Sequence, residues 1–227
     1  MKLIIYLFLP IILFSSDSFI LKTTWGQKKI YSKFTPKKQR VGCWSTALGQ
    51  ILYHHKLKPL EKSVNYKISK NETVSFNIDQ AKLNFDKSDK LALSYYSYYI
   101  SGILQKDFGT SSYLIKGSKR HLELEKFFKN IEAHQYKLKN MDKEHFILII
   151  KHELDNKRPL MLFIRDKAKK KYHAVVADGY KYIDSKLHLH INMGSYGKYN
   201  DWYDFDKAIH KFDDNLYRRI ITIKVKK

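Results

Sequence analysis

Apart from one short alternating stretch, the spacing of apolar residues passes from a period near four in the first two-thirds of this chain to a period near two in the last third, and that change limits the fold more than any other feature. After Gly42, the run CWSTALGQILYHH sets Trp44, Ala47, Leu48, Ile51 and Leu52 at helical spacing, which predicts a buried helix opening at Cys43. Helical patterns return over residues 91–104, 122–128 and 144–154. Beyond Pro159 the texture is that of strands: PLMLFI, HAVVADGY from His173, LHLHIN from Leu187, and RRIITIKV near the end. Alternating fragments VNYKI and VSFNI within residues 62–85 predict a small hairpin, and residues 23–38, polar with Pro36, an extended segment over the surface. Helices precede strands, so an α+β fold is expected, a helical lobe against an antiparallel β lobe with a cleft between them.

The 227 residues suffice for one such unit, and 44% hydrophobic content with 15% aromatics supplies its core. The N-terminus has the form of a secretory signal: Met1-Lys2, an apolar run over residues 3–14, then Ser15, Ser16 and Asp17. A cut between Asp17 and Phe19 is expected, giving a signal over 1–18 and a domain over 19–227, secreted or periplasmic. The run is shorter than the ~20 residues that span a bilayer, and Pro10 interrupts it, so no membrane anchor is expected after cleavage.

An exported chain with a single cysteine, Cys43, has no internal disulfide. Its thiol is a packing residue, a site for intermolecular pairing, or a reactive group. The net charge of +21 favours acidic partners, but the lysines are scattered over the whole chain, so no specific nucleic-acid site is expected. His54 and His55 read as helix-end residues, and His188 and His190 as structural residues rather than metal ligands. Asn71-Glu72-Thr73 has the form of a glycosylation site by chance.

A thiol at a helix N-terminus gains from the N–H groups there, and a nearby imidazolium stabilises thiolate further. His173, opening an apolar strand before an expected tight Asp178-Gly179 turn, is the candidate for that second role. These pieces stand in a recognisable order: TTWGQKKIY from Thr23, GCWSTALGQILYHHKLKP from Gly42, DFGTSS from Asp107, HELDNKRPLMLFI from His152, HAVVADGY from His173 and HINMGSYGKYNDWYDF from His190. In that order they resemble the streptopain family of papain-like cysteine peptidases.

The resemblance implies a papain-like two-lobe fold with a central nucleophile helix, and peptide hydrolysis without a cofactor. By position, Cys43 matches the nucleophile, His173 the general base, Gln27 the oxyanion side chain and Asn192 the residue that orients the imidazole. Trp25, Gly42, Trp44, Met193 and Gly194 are expected around the substrate cleft, and no metal is expected. Family members carry N-W-G-W-G where this chain has Asn192-Met193-Gly194-Ser195-Tyr196-Gly197, so a tryptophan that shields the Cys-His pair is missing and a wetter pair is expected, with Tyr196 or Trp202 available to fill the gap. Protein or peptide substrates are implied, with acidic ones favoured by the chain's charge. Two alternatives stay open: a papain-like binding scaffold without turnover, and a different acyl transfer such as deamidation on the same pair.

Overall fold

The structure is a computed structural model that describes residues 18–60, 63–67, 73–77, 85, 89–106, 108 and 119–226. Residues 1–17 of the expected signal, Asn71 and most of the DFGTSS stretch lie outside the described residues. Helix α1 (Cys43–His54) packs against α2 (Lys90–Ile103), and the β1 (Ser63–Lys67) and β2 (Thr73–Asn77) hairpin stands beside α2. Strands β3 (Ile131–Lys137), β4 (Leu160–Asp166), β5 (Lys171–Ile183), β6 (Lys186–Asn192), β7 (Asp201–Asp204) and β8 (Arg219–Val225) form one antiparallel sheet in the order β3-β8-β4-β5-β6-β7. Helix α3 (Lys143–Asp155) precedes β4.

Two cores lie on opposite faces of this sheet. Successive residues of a strand point to opposite faces. In β5, Ala174 and Val176 face Leu48, Ile51 and the α1–α2 layer, while Val175 and Ala177 face Phe146, Ile150 and Leu154 of α3. The near-continuous apolar run of HAVVADGY follows from this burial on both sides. Helix α1 is buried from Ser45 to Leu52, as its sequence period predicts.

Three local expectations differ from the fold. Residues 122–128 form short 3-10 turns and not an amphipathic helix, because Leu124, Phe127 and Phe128 are all buried and Phe128 bridges Pro59. Asp178-Gly179 is a bulge inside β5 and not a turn: the β5–β6 register shifts between Ala177 and Gly179, and pairing continues to Ile183↔Lys186. Residues 23–38 do not simply cover the surface. Trp25 is buried against Tyr31, Tyr53 and Tyr96, and a Cβ on Gly49 would lie 2.8 Å from its ring. His54 ends α1 and His55 is its C-cap, as the sequence predicts, although both are largely neutral there. Burial pulls both imidazoles down, His55 to about 4 with His54 and Arg158 adding repulsion.

The two layers and the N-terminal segment meet at Gln50. Its fully buried amide exchanges two hydrogen bonds with Asn192 of β6 (3.1 and 3.3 Å), and its Oε1 also accepts from the Thr23 hydroxyl (2.9 Å) and the Trp25 N–H (3.2 Å). Gln50→Leu keeps the side-chain size and leaves these partners unpaired. We expect a loss of about 1–3 kcal/mol, read as a lower urea midpoint at unchanged slope; a change within about 0.5 kcal/mol would contradict this role.

Candidate active site

Helix α1 begins without a capping side chain. Gly42 holds φ +88° and ψ 157°, a conformation that L side chains rarely adopt, and its carbonyl accepts from both the N–H and the hydroxyl of Thr46. The turn into the helix thereby brings Cys43 to its first position with no acidic residue in the first turn. The positive end of the helix dipole is left for the sulfur.

Cys43 Sγ is hydrogen-bonded to His173, at the start of β5, and to the backbone of Ala174 and Trp44. Burial pushes the thiol up, but the bond and charge of His173 with the two backbone bonds outweigh it, and the thiol is held below its ordinary value. Burial pushes the His173 imidazole down. The bond and charge of Cys43, with the Met193 carbonyl, reverse that and hold it above its ordinary value, against a small opposing push from Lys211. Both shifts favour thiolate beside imidazolium.

His173 Nε2 lies 3.1 Å from the Met193 carbonyl oxygen. A carbonyl only accepts, so Nε2 carries hydrogen, and Nδ1 is the nitrogen left to exchange a proton with Cys43. Phe212 stacks on the imidazole with centroids 5.4 Å apart and planes 18° from parallel. The loop carrying Phe212 is fixed from below: buried Arg218 donates to the carbonyls of Asp214 and Lys207 and to the Asn215 side chain. Burial lowers the Arg218 guanidinium to about 10, so it stays charged at neutral pH.

A cleft of about 410 Å³ opens over the pair. Gln27, Cys43, Trp44, His173, Met193 and Phe212 line it together with a basic side formed by Arg40, Lys169, Lys171 and Lys211. Gln27 thus shares the cleft with Cys43, and the Val41 N–H fixes the Gln27 carbonyl at 3.0 Å. The Trp44 ring packs on Phe163 and lies under the Arg219 guanidinium.

The other expected site residues are placed as follows. Asn192 is not bonded to His173. It pairs with Val176, three residues along β5, on the face that meets α1, where its amide bonds Gln50, the Thr23 carbonyl (2.7 Å) and the Gly194 N–H (3.1 Å). Trp25 is a core residue. Gly42 and Gly194 shape the backbone, Gly194 at φ +63° with Thr46 Cγ2 only 3.0 Å from where a Cβ would be. Met193 is buried in the α3-side core, so its contribution to His173 comes from the main chain. Trp202 packs edge-on against His190 and leaves the shielding of His173 to Phe212. His190 is bonded to Asp178 (2.6 Å) and stacked on Phe19 (4.0 Å). The described residues contain no cluster suited to a metal ion.

The model of the peptidase C10 family matches residues 25–203, a stretch that holds Gln27, Cys43 and His173. The chain belongs to the peptidase C10 family. It is accordingly a cysteine peptidase, in agreement with the resemblance carried by its motifs. Among solved structures, active wild-type interpain A, a cysteine protease of Prevotella intermedia, matches with a TM-score of 0.72 and 20% identity over 90% of this chain and 93% of that one. A prointerpain A fragment from the same organism, carrying a Cys-to-Ala mutation, matches with a TM-score of 0.66 and 21% identity over 90% and 70% of the two chains. At these identities the likeness shows the fold, that of a peptidase C10 enzyme. No curated protein matches the chain.

Two site features had no signal in the sequence, the Ala174 N–H and Phe212. Both depend on which strand and loop meet the α1 N-terminus. The opposed shifts of Cys43 and His173 set a pH test. A thiol held low is thiolate where an unfolded thiol is still protonated, so the midpoint of Cys43 alkylation by iodoacetamide should lie at lower pH in the folded chain than in urea. His173→Ala removes the bond and the charge but keeps the burial, and should move the folded midpoint up; equal midpoints in all three samples would contradict the pairing.

Proposed function

We propose that this peptidase is an exported endopeptidase in which Cys43 and His173 act as a thiolate-imidazolium pair. The observation that carries the proposal is the Cys43–His173 hydrogen bond at the N-terminus of a buried helix, inside a cleft. The thiolate attacks the scissile carbonyl carbon, and the carbonyl oxygen gathers negative charge. The Gln27 side chain and the Cys43 N–H stabilise that oxygen. His173 gives its proton to the leaving amine as the C–N bond breaks, which leaves a thioester on Cys43. Water then attacks the thioester while His173 takes its proton, the acid is released and the thiol returns. The Met193 carbonyl keeps the imidazole oriented through both steps, the part that Asn192 was expected to play.

Export rests on the apolar run of residues 3–14 and the small residues after it, with the peptidase domain over 19–227. Acidic peptides are the favoured substrates: among the described residues the cleft walls carry Arg40, Lys169, Lys171 and Lys211 against one carboxylate, Asp166, which Lys169 already partners at 3.7 Å. The stacked Phe212 offsets the missing tryptophan and favours turnover over a binding role alone.

Casein digestion tests the reading. New N-termini should appear with the wild-type chain and be lost with Cys43→Ala and His173→Ala, while Gln27→Ala should cut kcat by about 10²–10³-fold, the usual cost of one oxyanion donor. Release of ammonia from glutamine without new N-termini would point to deamidation. Binding of casein without either product would point to a scaffold.

A further inference from the structure

The segment that carries Gln27 is held by Tyr196, a residue of the stretch that departs most from the family's N-W-G-W-G pattern. Two hydrogen bonds bracket Gln27. The Tyr196 N–H donates to the Trp25 carbonyl at 3.1 Å, and its phenol oxygen accepts from the Lys28 N–H at 2.9 Å. Between them the ring lies flat over Gly26: a Cβ on that glycine would stand 2.2 Å from Cζ and 2.4–2.5 Å from the flanking ring carbons. Lys29 Nζ sits 5.4 Å from the ring centroid on the solvent side, and Tyr31 packs at 6.1 Å. On the other side, Val41 fixes the Gln27 carbonyl. Tyr196 itself adopts φ +61°, held by the neighbouring turn in which the Lys198 N–H donates to Ser195 and the Asn200 N–H to Gly197.

We propose that Tyr196 is a positioning residue for the oxyanion side chain, setting the backbone on both sides of Gln27 so that its amide is aimed before substrate arrives. The inference rests on the role assigned to Gln27 above. It concerns a group that never touches the reacting atoms: the Tyr196 oxygen is used by a main-chain N–H, and the ring covers main chain. A donor that must meet developing charge gains from being fixed in advance, since its reorientation would otherwise be added to the barrier. Loss of the clamp should therefore lower kcat more than it raises KM. Alkylation of Cys43 by iodoacetamide creates no oxyanion, so that rate should not respond.

Tyr196→Phe keeps the ring over Gly26 and removes only the acceptor for Lys28. On a chromogenic peptide amide we expect kcat to fall about 3- to 10-fold, the worth of one hydrogen bond, with KM and the iodoacetamide rate unchanged and the thermal midpoint lowered by no more than about 4 °C. In a Gln27→Ala background the same substitution should have no further effect on kcat. A Tyr196→Phe chain with wild-type kcat, or one whose loss is undiminished when Gln27 is already alanine, would overturn the proposal. A wild-type chain whose hydrolysis does not depend on Gln27 would instead overturn the oxyanion reading beneath it.

Discussion

The paired amides of Gln50 and Asn192 are the contact on which the arrangement of this molecule depends. One belongs to the central helix, the other to the sheet, and the same two side chains bind Thr23 and Trp25 of the segment that leads to Gln27. Both are almost wholly buried. Buried amides are costly unless each donor and acceptor is met, and this geometry meets them only when helix, strand and N-terminal segment are in register. The contact therefore converts a condition on hydrogen bonding into a condition on where the two layers sit. Cys43 on the helix and His173 on the sheet can meet only if that condition holds.

At the meeting point, opposing effects are balanced by short-range contacts. Burial acts against charge on both partners, raising the thiol and lowering the imidazole. The hydrogen bond between them, the main-chain N–H groups of Ala174 and Trp44, and the Met193 carbonyl reverse both effects. Main-chain groups do much of this work, so the contact of Met193 with His173 does not depend on the Met193 side chain. The aromatic cover comes from Phe212, on a loop anchored by the buried Arg218.

Much of this was legible in the sequence because the strongest local signals belong to the parts that are most buried. The period of Trp44, Ala47, Leu48, Ile51 and Leu52 located α1, and the apolar runs from Pro159, His173 and Leu187 located β4, β5 and β6. Strand β3 was not legible: it is an edge strand paired only with β8, and its residues IEAHQYK are half exposed, so they carry no alternation of period two. Strand β7, with four residues and one neighbour, gave as little. Residues 122–128 have helical spacing because Leu124 in a short turn and Phe127 and Phe128 just after it, all buried, happen to repeat at three and four. At the site, Cys43, His173 and Gln27 could be matched to motifs, and all three line one cleft. Asn192 could be matched too, but a motif does not report which face of a strand a side chain takes, and here the register turns it towards Gln50. Asp178 is ambiguous for a similar reason, since Asp-Gly is a common turn pair and also suits the bulge that brings Asp178 to His190.

The account stands on Cys43 being the atom that attacks substrate. The direct measurement is mass spectrometry of the chain quenched in acid during turnover of a peptide ester, with peptide mapping of the adduct. The account predicts an acyl group on the peptide containing Cys43, formed and lost on the timescale of turnover and absent from His173→Ala. Hydrolysis at full rate with no acyl group on Cys43, or with the label on another residue, would contradict it.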